Sequence, residues 1–199
     1  MWDSDEYIND YDRFLLETNL VGATSLDALH YRERLLTLKR AQILKSTHIK
    51  RDFSYKHLKA IHKHIFQDIY SWAGKDRYEI GLYGFIAKGD SIFCKGGFLP
   101  EQSKSIFENL KALRFLKGIK NKDEFAQNLA SFLADLNALH PFREGNGRTQ
   151  RIFINELAQN AGFALDINLT SKELMIEASI QSVNGDIKAL YEIIRERLK

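Results

Sequence analysis

Residues 140–151 combine the residue types of a phosphate-binding site, and read His-Pro-Phe-Arg-Glu-Gly-Asn-Gly-Arg-Thr-Gln-Arg. Gly145 and Gly147, on either side of Asn146, free the backbone to present successive N–H groups just before a predicted helix. The unpaired amides and the dipole of a helix N-terminus attract anions. The segment is therefore a candidate cradle for phosphate.

Four side chains around this cradle predict what it does with a phosphate. Arg148 and Arg151 lie three residues apart, so both guanidinium groups can reach one polyanion from the same helix face. Glu144 would repel a phosphate unless a divalent cation such as Mg²⁺ sits between them. His140 can accept a proton near neutral pH. Together these residues indicate phosphoryl or nucleotidyl transfer.

Each of these features also has an ordinary structural explanation when it is taken alone. A histidine before a proline usually marks a helix end, and Gly-Asn-Gly usually marks a turn. Two arginines in a first helical turn, however, oppose the helix dipole and are unfavourable without an anion. We therefore interpret the combination as functional.

The elements that position this segment are predicted to be helices, because the chain has only two prolines and apolar residues recur at helical spacing. Helices are predicted around residues 7–15, 26–44, 54–69, 100–117, 121–140 and 146–162, followed by one capped by Thr170 with Glu173 and a last one from Asp186 through Leu198. Ser54 and Asn121 are the predicted N-caps of the third and fifth.

Residues 78–98 interrupt this helical pattern. Glycines alternate there with aromatic and β-branched residues, which is typical of short strands and turns. We predict a hairpin with strands at 83–87 and 92–94, joined by the turn Lys88-Gly89-Asp90-Ser91. It is the only good hairpin candidate in the sequence.

Composition limits the possible classes of function. The 199 residues, 44% of them hydrophobic, suit a single domain of 1–199. A single cysteine, Cys94, excludes an internal disulfide and a cysteine zinc cluster. A net charge of +3 with dispersed basic residues argues against a nucleic-acid partner. No apolar run reaches the roughly 18 residues of a membrane span, and the first residues are acidic, so we expect a cytoplasmic protein without a membrane partner.

Residues 140–151 resemble, without a gap, the signature of the Fic family: His, any residue, Phe, any residue, Asp or Glu, Gly-Asn-Gly-Arg, two free positions, Arg. The upstream stretch from Ile61-His62-Lys63 and Phe66 through Tyr70-Ser71-Trp72-Ala73-Gly74 to Arg77 is also similar to the family, and Ile86-Ala87-Lys88-Gly89 followed by Phe93 looks like its flap. The resemblance covers about residues 10–195. It implies a mainly α fold, a Fic-type helical bundle with a small β-hairpin flap at about 83–94.

The resemblance implies a protein adenylyltransferase, which transfers AMP from ATP to a hydroxyl side chain of a target protein. His140 would be the general base that deprotonates the target hydroxyl. Phe142 would anchor the loop in the core. Glu144 would hold Mg²⁺ against the α- and β-phosphates.

The same resemblance assigns the remaining motif residues to the nucleotide. Gly145, Asn146 and Gly147 would cradle the phosphates, with Asn146 near the α-phosphate. Arg148 and Arg151 would neutralise the β- and γ-phosphates as pyrophosphate leaves. Catalysis of this kind depends mainly on positioning and electrostatics.

The flap implies a docking site for the target protein, which would add an extended segment to an exposed strand edge. Lys88, Gly89, Ser91 and Phe93 are the candidate docking residues. Lys88 is also a candidate nucleotide contact, although a solvated turn lysine is the more common situation. The stretch between Arg77 and Ile86 is longer than usual for the family, which leaves the register of the flap open.

Restraint of the enzyme is the last implication. Fic proteins are commonly inhibited by a helix with the pattern Ser/Thr-x-x-x-Glu-Gly/Asn, whose glutamate pairs with the second motif arginine, here Arg151. This pattern is absent from the sequence. The resemblance then implies a toxin-like enzyme restrained by a separate small antitoxin protein; a different form of control is the alternative.

Two other functions remain open at this point: a Fic-type transferase of another phosphate-containing group, and a non-catalytic strand-binding module. The intact Gly-Asn-Gly-Arg core favours AMP over other groups. The histidines His57, His62 and His64 show no ligand pairing, and Cys94 is interpreted as a small hydrophobic residue. No Walker phosphate loop is present in the sequence.

Overall fold

The computed structural model describes residues 10–44, 46–47, 49–89 and 91–199. This part of the chain forms eight α-helices and one two-stranded hairpin. The helices are α1 (Asp10–Thr18), α2 (Leu26–Leu44), α3 (Tyr55–Phe66), α4 (Leu99–Ala112), α5 (Lys122–Leu139), α6 (Asn146–Ala161), α7 (Lys172–Val183) and α8 (Lys188–Arg197). Tyr7, which the sequence places in the first helix, lies outside the described residues.

The hairpin is shorter than predicted. Strand β1 (Ala87–Lys88) pairs antiparallel with β2 (Ser91–Ile92), and Lys88 is the partner of Ser91. Lys88 and Ser91, the outer residues of the predicted four-residue turn, are therefore strand residues. Its Gly89 has a φ of +58°, and Asp90 lies outside the described residues. On the side away from the turn, the Phe93 N–H donates to the Ile86 carbonyl and continues the pairing.

Local sequence signals set most helix ends. Ser54 accepts a hydrogen bond from the His57 N–H, and Asn121 accepts from the Asp123 and Glu124 N–H groups, so both predicted N-caps are confirmed. The cap of α7 is Ser171 and not Thr170, because the Ser171 hydroxyl accepts the Leu174 N–H. The last helix begins at Lys188, two residues after the predicted Asp186.

The helix after Pro100 ends five residues earlier than predicted, at Ala112. Residues Arg114, Phe115 and Leu116 follow with positive φ values of 53°, 56° and 59°. Such left-handed geometry is costly for residues with a Cβ. Here it places Leu116 in the core with no exposed surface, an outcome that helical periodicity does not predict.

The central element of the core is α5, which packs against α4, α6, α7 and α8. Its apolar side chains are nearly all buried: Phe125, Ala126, Leu129, Ala130, Phe132, Leu133, Leu136 and Leu139. On the other side of the molecule, α2 packs against α3, and α3 packs against α6. The end of α5 and the start of α6 are thus fixed from both sides. Within the described residues, no helix has the length and apolarity needed to cross a membrane.

Candidate active site

The loop between α5 and α6 turns sharply at two residues with left-handed backbone geometry. His140 caps α5 with a φ of +42°, and Gly145 precedes α6 with a φ of +84°. A Cβ atom built on Gly145 would lie 2.3 Å from carbon atoms of the Phe66 ring. Glycine is therefore required at position 145 both for its backbone angle and for the close approach of α3.

The Asn146 side chain closes this loop on itself. Its Oδ1 accepts the Phe142 N–H at 2.9 Å, and its Nδ2 donates to the Phe142 carbonyl at 2.7 Å. Asn146 is 4% exposed. The Asn146 side chain therefore shapes the loop, and the residue also lines the cleft, so its predicted place near the α-phosphate stays a prediction.

Phe142 anchors the loop, as its apolar character predicts, and is 1% exposed. Its ring stacks on His62 with the ring centroids 3.9 Å apart. The His62 Nδ1 accepts the Gly74 N–H at 2.9 Å, so its Nε2 carries the proton and donates to the Glu144 carbonyl at 3.0 Å. Burial lowers the pKa of His62 to about 3. His62 is thus a neutral support of the loop.

His140 presents a buried imidazole to the cleft. Its Nε2 is buried and has no hydrogen-bond partner in the described part of the chain, and its ring stacks on Phe93 with centroids 3.9 Å apart. Burial lowers the pKa of His140 to about 3, with further lowering by the positive charges of Lys88 and Arg77. The ring is therefore neutral at physiological pH and can accept a proton.

Arg77 fixes the backbone around His140. Its buried guanidinium donates to four carbonyl oxygens: His140 at 2.9 Å, Leu139 at 3.2 Å, Cys94 at 2.5 Å and Gly84 at 3.4 Å. The backbone N–H of Arg77 donates to the Pro141 carbonyl at 2.8 Å. Arg77 thus joins the motif loop to the base of the flap.

Glu144 supplies the acidic group of the site. Its Oε2 accepts the Tyr11 hydroxyl and its Oε1 accepts the Gly145 N–H, at 2.8 and 2.9 Å. Burial raises the pKa of this carboxyl, whereas Lys88, 3.7 Å away, and the Gly145 N–H lower it. The Tyr11 hydroxyl and Arg148 lower it further, and the resulting pKa is about 2. The group is a carboxylate over the whole physiological range.

The two motif arginines line one cavity but have different surroundings. Arg148 Nη2 lies 2.5 Å from Glu33 and 3.7 Å from Glu144. Arg151 has a buried Nε without a hydrogen-bond partner within the described residues. Burial lowers the pKa of Arg151, and the charge of Arg148 lowers it further. In the part of the chain that the structure describes, Arg148 is paired with carboxylates and Arg151 has no ion pair.

These groups surround a cleft of about 810 Å³, a volume typical of small-molecule sites. One wall carries His140, Glu144, Gly145, Asn146, Gly147, Arg148 and Arg151, and α7 adds the apolar side chains Met175, Ile176 and Ile180. A Cβ on Gly147 would have no neighbour within 4 Å in the described part of the chain. The N-terminus of α6 therefore opens directly into the cleft, where its amides can receive an anion.

The donor set fits a nucleoside triphosphate with a hard divalent cation. An ionised carboxylate, an arginine without an ion pair within the described residues and a helix N-terminus face the same space. Among the described residues, no cluster of three or more His, Cys, Asp or Glu side chains could hold a metal by itself. Phosphate oxygens would have to supply the remaining ligands beside Glu144.

The flap residues divide into two groups. Lys88 and Gly89 are exposed, whereas Ser91 and Phe93 are 3% and 8% exposed, so the latter two do not offer their side chains to a docking partner. Phe93 supports His140 instead. The exposed apolar side chains near the tip are Phe85 and Ile92, at 68% and 64%.

Sequence reasoning did not identify several residues that hold the site. Tyr11, Glu33 and Thr37 contact Glu144 or Arg148 from helices more than a hundred residues away along the chain. Isolated polar residues on a helix carry no local signal for such contacts. Arg77 was only a part of the family resemblance.

Comparisons with known proteins agree with this geometry. The Fic/DOC family matches residues 52–158. The chain is 38% identical over 147 residues, 74% of each protein, to the "Probable protein adenylyltransferase y4lH" of Sinorhizobium fredii. It is 36% identical over 180 residues to protein adenylyltransferase VbhT of Bartonella schoenbuchensis, which covers 90% of this chain and 36% of VbhT.

Solved structures give the same result. The BepC effector protein of Bartonella tribocorum, with bound AMPPNP, is 25% identical, has a TM-score of 0.80 and matches over 91% of both chains. The N-terminal Fic domain of a Bep effector of Bartonella quintana, with bound ADP, is 29% identical, has a TM-score of 0.84 and covers 91% of this chain and 89% of that one. The predicted helical fold with a small hairpin is confirmed. The relatives' names support a nucleotidyltransferase. By sequence and by fold, the chain belongs to the Fic/DOC family.

Proposed function

We propose that this protein transfers AMP from ATP to a hydroxyl side chain of a target protein. The observation that carries the proposal is a cleft lined by His140 and Arg151, whose Nε2 and Nε atoms are buried and have no hydrogen-bond partner within the described residues. The first group can take a proton and the second can bind a phosphate. A nucleotidyl transfer to a hydroxyl needs both.

In this reaction, the target hydroxyl oxygen attacks the α-phosphorus of ATP. The bond between the α-phosphorus and the oxygen that bridges to the β-phosphate breaks, and pyrophosphate leaves. The hydroxyl proton moves to His140 Nε2 and then to solvent. The imidazole is neutral in the folded chain, so its lone pair is free for this proton, and the negative charge of the bound phosphates would offset the burial and the positive charges that lower its pKa.

The phosphates would lie at the N-terminus of α6, between its amides and Arg151. Glu144 would hold Mg²⁺ with the phosphate oxygens, and the ion would neutralise charge that develops on pyrophosphate. The Lys88 ammonium group lies 3.7 Å from the same carboxylate. Mg²⁺ would displace it, and Lys88 could then contact the nucleotide.

The target would dock on the flap through main-chain pairing at the exposed β1 edge, with Phe85 and Ile92 as apolar contacts. Backbone pairing depends little on sequence, so it can present a Ser, Thr or Tyr side chain to His140.

A separate small antitoxin in the same compartment, the cytoplasm, would restrain the enzyme. The support for this part is that Arg151 has no ion pair within the described residues and that the chain has no Ser/Thr-x-x-x-Glu-Gly/Asn sequence. A glutamate of the inhibitor would occupy Arg151 and exclude the γ-phosphate.

Labelled ATP tests the reaction directly. The purified chain with Mg²⁺ and a cell lysate should transfer the α-label of ATP to protein and should leave the γ-label in pyrophosphate. Transfer of the γ-label alone would identify a kinase, and transfer of neither would identify a binding module. Either result contradicts the proposal.

The metal assignment has its own test. Glu144→Ala should weaken the binding of ATP in the presence of Mg²⁺. A chelator should weaken ATP binding by the wild-type chain to the same extent. Asp135→Ala, which changes a carboxyl outside the cleft, is the control. Unchanged transfer in excess chelator would show that the metal has no part in the reaction.

A further inference from the structure

Arg148 is held by the carboxylate of Glu33, a residue of α2 that also lines the cleft. Glu33 lies on α2, is 6% exposed and accepts a hydrogen bond from Arg148 Nη2 at 2.5 Å. Its other oxygen accepts the hydroxyl of Tyr70, which is 1% exposed. Both oxygens of the carboxylate are thus engaged, so Glu33 is itself fixed.

Thr37 and Phe66 also contact this guanidinium. Arg148 Nη1 donates to the Thr37 hydroxyl at 3.3 Å, and the Arg148 guanidinium carbon lies 4.7 Å from the centre of the Phe66 ring. A guanidinium has five N–H donors. Glu33 and Thr37 use two of them, and the other three have no hydrogen bond within the described residues, where Arg148 lines the cleft.

We infer that Glu33 is a positioning residue that orients Arg148 as a preset phosphate ligand of the nucleotide. Arg151 has no such partner among the described residues, so the two arginines divide the work. Arg148 holds one orientation before the nucleotide arrives, while Arg151, without an ion pair in this part of the chain, supplies the charge that draws it in. The inference rests on the proposed function only in taking ATP as the ligand.

The opposite effect of Glu33 is a real physical alternative. A buried carboxylate near a triphosphate repels it, and pairing with Glu33 neutralises Arg148. If repulsion dominated, Glu33 would act as an internal inhibitor. Orientation is favoured because the pair leaves three donors of Arg148 available, so the arginine can hold Glu33 and a phosphate oxygen together.

Two uncharged substitutions separate orientation from charge. Glu33→Gln and Glu33→Met both remove the negative charge and have similar volumes. Only glutamine can still accept a hydrogen bond from Arg148. The difference in ATP affinity between these variants therefore reports orientation alone.

The measurement is the Kd for ATP with Mg²⁺, by calorimetry on the full chain. We expect Glu33→Gln to bind ATP at least as tightly as wild type, and Glu33→Met to bind about tenfold more weakly than Glu33→Gln, the loss typical of a charge-assisted hydrogen bond. In an Arg148→Ala background the difference between Gln and Met should vanish. Glu33→Ala replaces the Met variant if thermal melts show that the latter does not fold.

Equal affinities of the Gln and Met variants in the wild-type background would overturn the inference, since charge would then be the only effect. A difference that persists in Arg148→Ala would also overturn it, because Glu33 would then act through packing. Glu156, a partly buried glutamate paired with Arg51 on another face of α6, provides the control. Its Gln and Met variants should bind ATP alike.

The experiment separates this inference from the proposed reaction. ATP affinity is measured without any transfer step, so it reads the role of Glu33 whether or not AMP is transferred. If the wild-type chain transferred no α-label, the proposed function would be contradicted. The comparison of ATP affinity between Glu33→Gln and Glu33→Met would still be valid.

Discussion

The loop between α5 and α6 and the β1–β2 hairpin form two walls of the same cleft, and they are held in different ways. The backbone of the loop is hydrogen-bonded by side chains of α1, α3 and the first residue of α6, namely Tyr11, His62 and Asn146. The hairpin tip has only four paired residues, and three of them are exposed. The chemical groups are therefore preset, while the surface that meets a protein is left open.

This difference matches what each wall must recognise. A nucleotide has one fixed geometry, which rewards rigid groups. A target segment that pairs through its backbone needs only an accessible strand edge. If the walls differ in this way, changes to the loop and its supports should have larger effects than changes to the hairpin.

The first prediction removes the base from the rigid wall. His140→Ala should lower AMP transfer by about 10²–10⁴, the usual contribution of a general base, with little change in ATP affinity. His140→Asn should behave in the same way, because asparagine tolerates the left-handed backbone at this position. Transfer rates and calorimetry on both variants check this. Activity within about threefold of wild type would contradict the general-base role.

The second prediction breaks the connection between the walls. Arg77→Met should lower the free energy of unfolding by about 3 kcal/mol, because four carbonyl groups, of which those of Leu139 and His140 are buried, lose their donor. Transfer should fall with it, since His140 loses its backbone support. Urea unfolding measures the effect. Arg195→Met, at an exposed ion pair, is the control and should change stability by less than about 0.5 kcal/mol.

The third prediction concerns pH. The loop between α5 and α6 and its support on α3 contain the buried histidines His140 and His62, whereas residues 83–98 contain no histidine. Both folded-state pKa values lie near 3, below the unfolded value of 6.5, so the unfolded chain binds more protons between these limits. Stability is therefore complete above about pH 6.5 and falls with pH toward 3. From pH 7 to pH 5, each histidine should remove about 2 kcal/mol.

Urea unfolding at several pH values measures this slope, and His140→Asn should reduce it by roughly half of the two-histidine contribution. An unchanged slope in that variant would mean that His140 is not the neutral buried group described above.

The smallest effect is expected at the open wall. Phe85→Ala and Ile92→Ala should leave stability within about 0.5 kcal/mol and ATP affinity unchanged, because both side chains are exposed. Labelling of lysate proteins should nevertheless fall. Leu113→Ala, at a residue of 52% exposure outside the flap, is the comparison and should label normally. Full labelling by the flap variants would remove these side chains from the docking surface.

The sequence predicted the regular parts of the fold well because their signals are local. The bounds of α2, the cap at Asn121 and the start of α6 follow from periodicity and capping chemistry. The left-handed turn at 114–116 and the two-residue strands could not be predicted, because tertiary packing overrides local preference there.

The candidate site shows the same limit. The motif names the residues of the cleft wall, but the state of each side chain depends on distant partners. The neutral form of His140, the inward orientation of Asn146 and the engagement of Arg148 by Glu33 all come from contacts across the fold. Such contacts leave no spacing signal in a single sequence.

The close approach of Phe66 to Gly145 has a consequence for how the sequence can vary among related chains. One aromatic ring of α3 limits the volume at Gly145, stacks on His62 and lies beneath the Arg148 guanidinium. A change in the size of this ring would disturb three parts of the cleft at once. Related chains should therefore vary at positions 62 and 66 as a linked pair, and a second change at position 62 should restore part of the ATP affinity lost on a Phe66 substitution.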